Sequence, residues 1–265
     1  MITERQSDGY TVYVVEGEDG IRRLRFERNG VDQSAVKIGD PDHIVFAYMK
    51  SLMAAVALRP DAKRVLLIGI GGGTFPMIMR KHRPDVFIDA VDIDPIVVEV
   101  AEHDLGFQPD AKLVVHIEDG RKFVEESQDS YDLIVLDAYS PDNIPMRLAT
   151  RQFLEAVKRR LAPGGMVAAN LWSQVANSYY LGMLRTYEAV FPEVHVIAPA
   201  QSESRIVLAF PVPEKLTHAT LMAAVTALKK SWGLRFDLPK LVDKGHAMPD
   251  QLPLGHLPLE DAPGQ

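Results

Sequence analysis

The spacing of apolar positions along the chain changes period several times, and each change marks a boundary. From Gly9 to about Ile38 the pattern alternates. Tyr10-Thr11-Val12-Tyr13-Val14-Val15 is β-branched and aromatic, Gly17-Glu18-Asp19-Gly20 reads as a turn, and Leu24 and Phe26 share one face of the run that follows. Asn29-Gly30 tolerates positive φ at both positions and signals a hairpin, before a strand through Val36 and Ile38. A small antiparallel sheet is therefore expected ahead of the main domain. Asp40-Pro41-Asp42 then predicts a helix start, with Asp40 as N-cap and Pro41 at the first helical position. Ile44, Tyr48, Leu52, Ala55 and Val56 would share its apolar face to about Leu58.

Beyond Arg59-Pro60-Asp61 the period switches between strand and helix. Val65-Leu66-Leu67-Ile68 runs into Gly69-Ile70-Gly71-Gly72-Gly73 and a helix over residues 74–82. Strands are expected at 86–91, 112–116, 131–137 and 166–171, with helices after the first two and one over 148–161 that stops at Pro163-Gly164-Gly165. A helix over 177–190 and strands at 194–197 and 205–210 complete the pattern. Strand–helix alternation with short turns implies a parallel sheet covered on both faces, and two closing strands imply an antiparallel edge pair. That is the pattern of the Rossmann-like class I transferase fold that uses S-adenosylmethionine (AdoMet), an α/β fold with a mostly parallel seven-stranded sheet. Three units are expected: the N-terminal sheet at 1–40, the Rossmann-like catalytic domain at 41–212, and a C-terminal helix with a proline-rich tail at 213–265. The tail is expected to lie extended on the surface or to be disordered.

Composition narrows the classes. The chain has 265 residues and no cysteine, which removes disulfides, thiolate catalysis and cysteine zinc sites. A net charge of −7 argues against a nucleic-acid backbone as partner and suits a cationic substrate. No apolar run approaches membrane-spanning length and the first residues lack a signal-peptide pattern, so no membrane partner and a cytoplasmic location are expected. The histidines show no ligand spacing, so no metal is expected.

The chemistry gathers at the strand ends, because ligands of a parallel sheet sit beyond its carboxyl edge. Glycines in the first turn let a ligand approach the backbone. Asp92 follows about 20 residues later, at the place where an acid meets a ribose. It lies inside an apolar run and needs a partner. Asp94, just before Pro95, reads as a helix cap, and Asp132 as a solvated strand start. Asp119 ends the third strand, where a carboxylate can accept an adenine amino group. Asp137 ends an all-apolar strand and would face the reactive part of a ligand lying over the glycine turn. A base there could take a proton from an amine attacking a sulfonium carbon. The loop Asp137-Ala138-Tyr139-Ser140-Pro141-Asp142 offers Tyr139, Ser140 and Asp142 as candidates for the acceptor side. Two acids and a glycine turn describe an adenosine pocket with no evident place for a pyrophosphate.

These residues resemble the spermidine synthase (polyamine aminopropyltransferase) family from about Gly9 to Phe210. The likeness rests on the turn Gly69 to Gly73, Asp92-Ile93-Asp94, Glu118-Asp119-Gly120-Arg121-Lys122-Phe123 and Tyr131-Asp132-Leu133-Ile134-Val135-Leu136-Asp137. Gly30-Val31-Asp32-Gln33 looks like the family hairpin Asp-Gly-Val-Ile-Gln, and Phe46-Ala47-Tyr48 like its tyrosine-bearing helix. The resemblance implies that Asp92, with Ile93 beside it, holds the ribose. It implies that Asp119, Gly120 and Arg121 meet the adenine, and that Gln33 and Tyr48 close over the sulfonium and amine. Asp137 would receive the proton. The co-substrate would be decarboxylated AdoMet or AdoMet, the acceptor a polyamine or other amine, and the assembly a homodimer.

The departures are as informative. The family's first turn carries an aspartate that grips the aminopropyl ammonium; here that position is Gly72. Its second aspartate after the fourth strand helps hold the diamine; here that position is Ser140. Tyr48-Met49-Lys50 departs from the family's helix motif, and its Tyr-Pro-x-Gly segment has no counterpart near Pro199-Ala200-Gln201-Ser202. Asp142 and Glu203 are the candidates to replace the lost acids. Without an acid at 72 the repulsion of a carboxylate-bearing nucleoside is gone, so AdoMet itself should be better tolerated. Three readings stay open: an aminopropyltransferase, an AdoMet-dependent methyltransferase on the same scaffold, and a nucleoside-binding homologue without turnover.

Overall fold

The computed structural model describes residues 1–139, 145–200, 202–247 and 256–262. The chain opens with a four-stranded antiparallel sheet in sequential order: β1 (Thr3–Gln6), β2 (Thr11–Glu16), β3 (Ile21–Arg25) and β4 (Asp32–Lys37). Strand β1 precedes the predicted start of this sheet. Its Glu4, Arg5 and Gln6 are exposed, so it carries no alternating apolar signal.

Helix α1 (Ala47–Leu58) begins later than Asp40-Pro41-Asp42 predicted. Both acids are engaged elsewhere. Asp40 pairs with Arg235, and Asp42 accepts from Lys81 at 2.6 Å and contacts His82 at 2.7 Å. The chain instead stays non-helical to Phe46, whose ψ of 138° is extended, and α1 starts without a side-chain cap. Eight of its residues are buried and still make it a core helix, with Leu52, Met53, Ala54 and Ala55 fully enclosed.

There follow β5 (Arg64–Ile68), α2 (Thr74–His82), β6 (Phe87–Asp92), α3 (Pro95–Asp104), β7 (Leu113–Ile117), α4 (Gly120–Glu126) and β8 (Tyr131–Leu136). After a 3-10 turn at Met146–Leu148 come α5 (Arg151–Arg159), β9 (Leu161–Trp172), α6 (Tyr180–Val190), β10 (Glu193–Ile197) and β11 (Ser204–Phe210). Then α7 (His218–Trp232), α8 (Leu238–Asp243) and β12 (His246–Ala247) close the fold. Pro163-Gly164-Gly165, expected as a stop before a strand, lies within β9. Helix α7 starts on a capping box, Thr217 and Thr220 bonding each other's backbone amides.

The main sheet runs β12-β10-β11-β9-β8-β5-β6-β7. Strands β5 to β9 are parallel neighbours and β10, β11 and β12 antiparallel. Among the described residues it therefore has eight strands, one more than predicted. The added β12 is two residues long, too short for a periodic signal, and exists by pairing with the β10 edge. Helices α1, α2, α7 and α8 pack one face of the sheet, and α5 and α6 the other. The N-terminal sheet packs on α3, with Val12, Val14, Leu24 and Val36 meeting Val97, Val100 and Leu105. Within the tail, residues 256–262 lie in a defined place. Leu259 exchanges backbone bonds with Arg151 and the Thr186 hydroxyl, and Asp261 takes a two-pronged ion pair from Arg121. No helix among the described residues is long and apolar enough to cross a membrane.

Candidate active site

Strand order reverses direction at β5, with β6 and β7 to one side and β8 and β9 to the other. A crevice therefore opens at the carboxyl ends of β5, β6 and β8. It holds a cavity of about 200 Å3, roofed by the N-terminal sheet through Tyr10, Leu24, Phe26, Gln33 and Ser34. The small sheet is thus part of the site as well as an edge cover.

The turn after β5 is shaped by what passes it. Gly69 has φ +94°, and a Cβ there would run into the backbone of Asp137 and Ala138. Only glycine lets the end of β8 come so close. At Gly72 a Cβ would stand 2.5 Å from Ser34 Oγ and 3.1 Å from Leu105 Cδ1. While those side chains stay in place, position 72 has no room for the family's aspartate, and the Ser34 hydroxyl fills that corner. Gly69 and Gly71 line the cavity; Gly72 and Gly73 lie behind it, Gly73 as the left-handed N-cap of α2.

Asp92 sits at the end of β6 and lines the cavity with Ile93. Its Oδ2 accepts from the Ile70 amide at 2.8 Å and its Oδ1 from the Asp94 amide at 3.1 Å. Those bonds fix the carboxylate while leaving a lone pair on each oxygen for a ligand. Burial raises the Asp92 carboxyl above its usual range, against the opposing pull of these amides. Asp94 caps α3 by accepting from Ile96 at 2.8 Å, and its other oxygen takes the Ser7 and Tyr10 hydroxyls. Asp132 is a latch between strands, accepting the Lys63 and Arg64 amides at 2.7 and 2.9 Å, and not a merely solvated acid.

Asp119 and Arg121 do not line the cavity, although Gly120 between them does. One Asp119 oxygen caps α4 through the Arg121 and Lys122 amides at 2.8 and 3.1 Å, and the other pairs with Arg147. The Arg121 guanidinium turns away to Asp261 and Glu125. Arg147 itself lines the cavity and covers the carboxylate that an adenine amino group would seek.

Asp137 stands on the far wall. Its Oδ1 accepts from Asn170 Nδ2 at 2.9 Å and its Oδ2 from the Tyr48 hydroxyl at 3.4 Å. Desolvation pushes the carboxyl up to about 7, outweighing those two donors. Tyr48 and Tyr139 are driven well above the ordinary phenol range, chiefly by burial and next by the Asp137 charge, so both keep their protons. Tyr139 donates to the Asn170 carbonyl at 2.8 Å. A second cavity, of about 240 Å3, opens on the other side of Tyr48 and Tyr139 and is walled by Phe46, Trp172, Asn170 and Asp32. Gln33 borders both cavities. Ser140 and Asp142 lie outside the described residues. Among those described, no group of three or more His, Asp or Glu side chains is arranged to hold a metal.

Four residues of the site were not singled out from the sequence: Tyr10, Ser34, Arg147 and Asn170. Asn170 had a signal, as a polar residue inside the apolar run Met166 to Leu171. Tyr10 and Ser34 lie in a sheet whose docking over the cavity no local pattern states.

A sheet open at this crevice, roofed by a small β-sheet and carrying an enclosed acid on the cavity wall, defines a transferase of the AdoMet-type architecture. The model of the spermine/spermidine synthase domain matches residues 45–200, more than half of the chain, which belongs to that family. A polyamine aminopropyltransferase of Vibrio vulnificus is 33% identical over 215 residues, covering 78% of this chain and 71% of that protein. The crystal structure of human methyltransferase-like protein 13, in complex with SAH, superposes with a TM-score of 0.66 at 27% identity, covering 73% of this chain and 95% of that one. A probable spermidine synthase from Corynebacterium glutamicum shares the fold, with a TM-score of 0.73 at 18% identity over 89% of this chain and 96% of that one.

Proposed function

We propose that this protein transfers an aminopropyl group from decarboxylated AdoMet to a primary amine, leaving methylthioadenosine, with Asp137 as the proton acceptor. The observation that carries the reading is the setting of Asp137, which lines the first cavity and is held by Tyr48 and Asn170, two residues that wall the second. The nucleoside lies over the glycine turn with its ribose at Asp92. The amine enters from the second cavity. Its lone pair attacks the carbon next to the sulfonium, the C–N bond forms as the C–S bond breaks, and the electron pair neutralises sulfur. The proton leaves the new ammonium for Asp137, whose raised pKa makes it a competent acceptor near neutral pH. Tyr48 closes over the reacting atoms and orients the carboxylate. Adenine recognition by Asp119 requires Arg147 to leave that carboxylate; Gly120 offers backbone contact without such a change. The resemblance to a polyamine aminopropyltransferase supports the aminopropyl group as cargo.

A second reading, methyl transfer from intact AdoMet to an amine, is favoured by one observation. The corner where the family's aspartate would repel a carboxylate is filled by the neutral Ser34 hydroxyl. Product analysis separates the two. With each nucleoside and a panel of amines, mass spectrometry should detect methylthioadenosine and an amine heavier by one aminopropyl unit. S-adenosylhomocysteine with a methylated amine establishes the second reading. Tight nucleoside binding with neither product contradicts both.

A further inference from the structure

The acceptor cavity differs from what a di- or polyamine requires. We propose that the acceptor is a primary amine with one positive centre on an apolar, aromatic-sized body. This rests on the amine-alkylating reading above and narrows its substrate class.

The first support is the walls. Phe46 and Tyr48 stack at 5.8 Å between centroids and 21° between planes, and Tyr139 and Trp172 at 4.7 Å and 25°. Two flat aromatic pairs border a space of about 240 Å3. Both phenols stay protonated, so these walls bring no charge.

The second is the charge balance. Among the described residues lining this cavity, Asp32 is the one carboxylate. Its oxygens meet Arg25 Nε at 2.6 Å and Arg23 Nε at 3.3 Å. Arg23 pairs in turn with Asp19. Two guanidinium groups face two carboxylates, so among the described residues this group gives a second ammonium no net attraction. A diamine would carry its distal charge between the ring pairs and lose hydration there, with no free counter-charge among the described residues. Contact with the ring faces returns only part of that loss.

The third is Asn170. Its side chain is 4% exposed and its Nδ2 is committed to Asp137, yet Oδ1 is buried with no partner. A buried carbonyl oxygen left unpaired is unfavourable, and it points to an N–H supplied by a ligand. A primary amine attacking from this cavity has two N–H groups once one proton has gone. One Asn170 amide therefore orients the base with its nitrogen and the nucleophile with its oxygen. The reactive nitrogen is served at this end, and the rest of the molecule lies along the two ring pairs, with Val31 and Ala47 beside them and Gln33, Ser202 and Ser204 as neutral polar groups.

The test is competition in one tube. The full chain is given decarboxylated AdoMet, then AdoMet, with equal concentrations of benzylamine, phenethylamine, putrescine and cadaverine, and alkylated products are counted by mass. The ratio is read within one preparation, so loss of folded protein cancels. An aromatic monoamine should be favoured by about tenfold or more in kcat/KM. Trp172→Ala should collapse that ratio toward one and Trp172→Phe should restore it. Putrescine or cadaverine favoured, or equal, overturns this inference and leaves amine alkylation standing. No amine alkylated with either nucleoside overturns both.

Discussion

Two enclosed acids on the same sheet have opposite fates. Glu193, at the start of β10, is 7% exposed and fully met: the Glu214, Lys215 and Leu216 amides donate at 2.6, 2.7 and 2.7 Å, and His195 Nε2 stands at 2.8 Å. Burial pushes its carboxyl up, but His195 and the three amides outweigh it, and the net direction is down. Asp137, at the end of β8, has one good donor and one long one, and desolvation wins. Burial alone therefore does not mark a functional acid. Under the proposed reading, what marks it is burial with too few donors, as at Asp137. Glu193 pins the chain that leads into α7. Its partner His195 must carry its proton on Nε2, so its Nδ1 accepts from His246 of β12 at 3.0 Å.

The contrast breaks most readily at Asp137. Asp137→Asn should lower kcat by about 10²–10⁴-fold while nucleoside affinity, measured by calorimetry, stays within a few-fold. Unchanged turnover would make this acid as structural as the other. Glu193→Ala should act in the opposite sense. It strands three backbone amides and His195, so denaturant melts should show a loss of about 2–4 kcal/mol with activity per folded molecule unchanged.

The pH dependence sharpens the comparison. The Asp137 carboxyl is raised to about 7 in the folded protein. The unfolded chain sheds that proton near pH 4. Between those values the folded state binds more protons, so wild-type stability falls as pH rises through this window and stays low above it. Asn at 137 is blind to this. The variant should therefore match wild type near pH 4 and exceed it by up to about 4 kcal/mol at pH 8. Glu193 has the reverse sign: its contribution is present above the unfolded carboxylate range and is lost as pH falls through its lowered folded value. The smallest effect belongs to a surface acid. Asp261→Asn breaks the pair with Arg121 that ties down the tail and should cost about 1 kcal/mol or less, with nucleoside binding untouched.

Much of this was legible in the sequence, where one local pattern sufficed. Buried parallel strands announce themselves as unbroken apolar runs, and Val65-Leu66-Leu67-Ile68 and Leu133-Ile134-Val135-Leu136 are two of them. Asp137 stood out because it ends such a run, and Asp92 because it lies inside an apolar stretch with no partner in it. Partners from distant segments were not legible. Nothing around Asp119 foretells that Arg147 covers it, and nothing around Asp40 foretells Arg235. Gly72 read as a lost acid; that Ser34 stands in the vacated corner needed the N-terminal sheet in place. The tail read as extended, and its three anchors came from Arg121, Arg151 and Thr186, none of them near it in sequence.

The most direct measurement is a carbon-13 NMR titration of the side-chain carboxyls of Asp137 and Glu193 in the ligand-free protein, each assigned by its amide or alanine variant. Asp137 should titrate at about 7 and Glu193 below the usual carboxylate range. Both acids titrating together near pH 4 would mean that the cleft does not hold its acid desolvated and ready for the proton of an attacking amine.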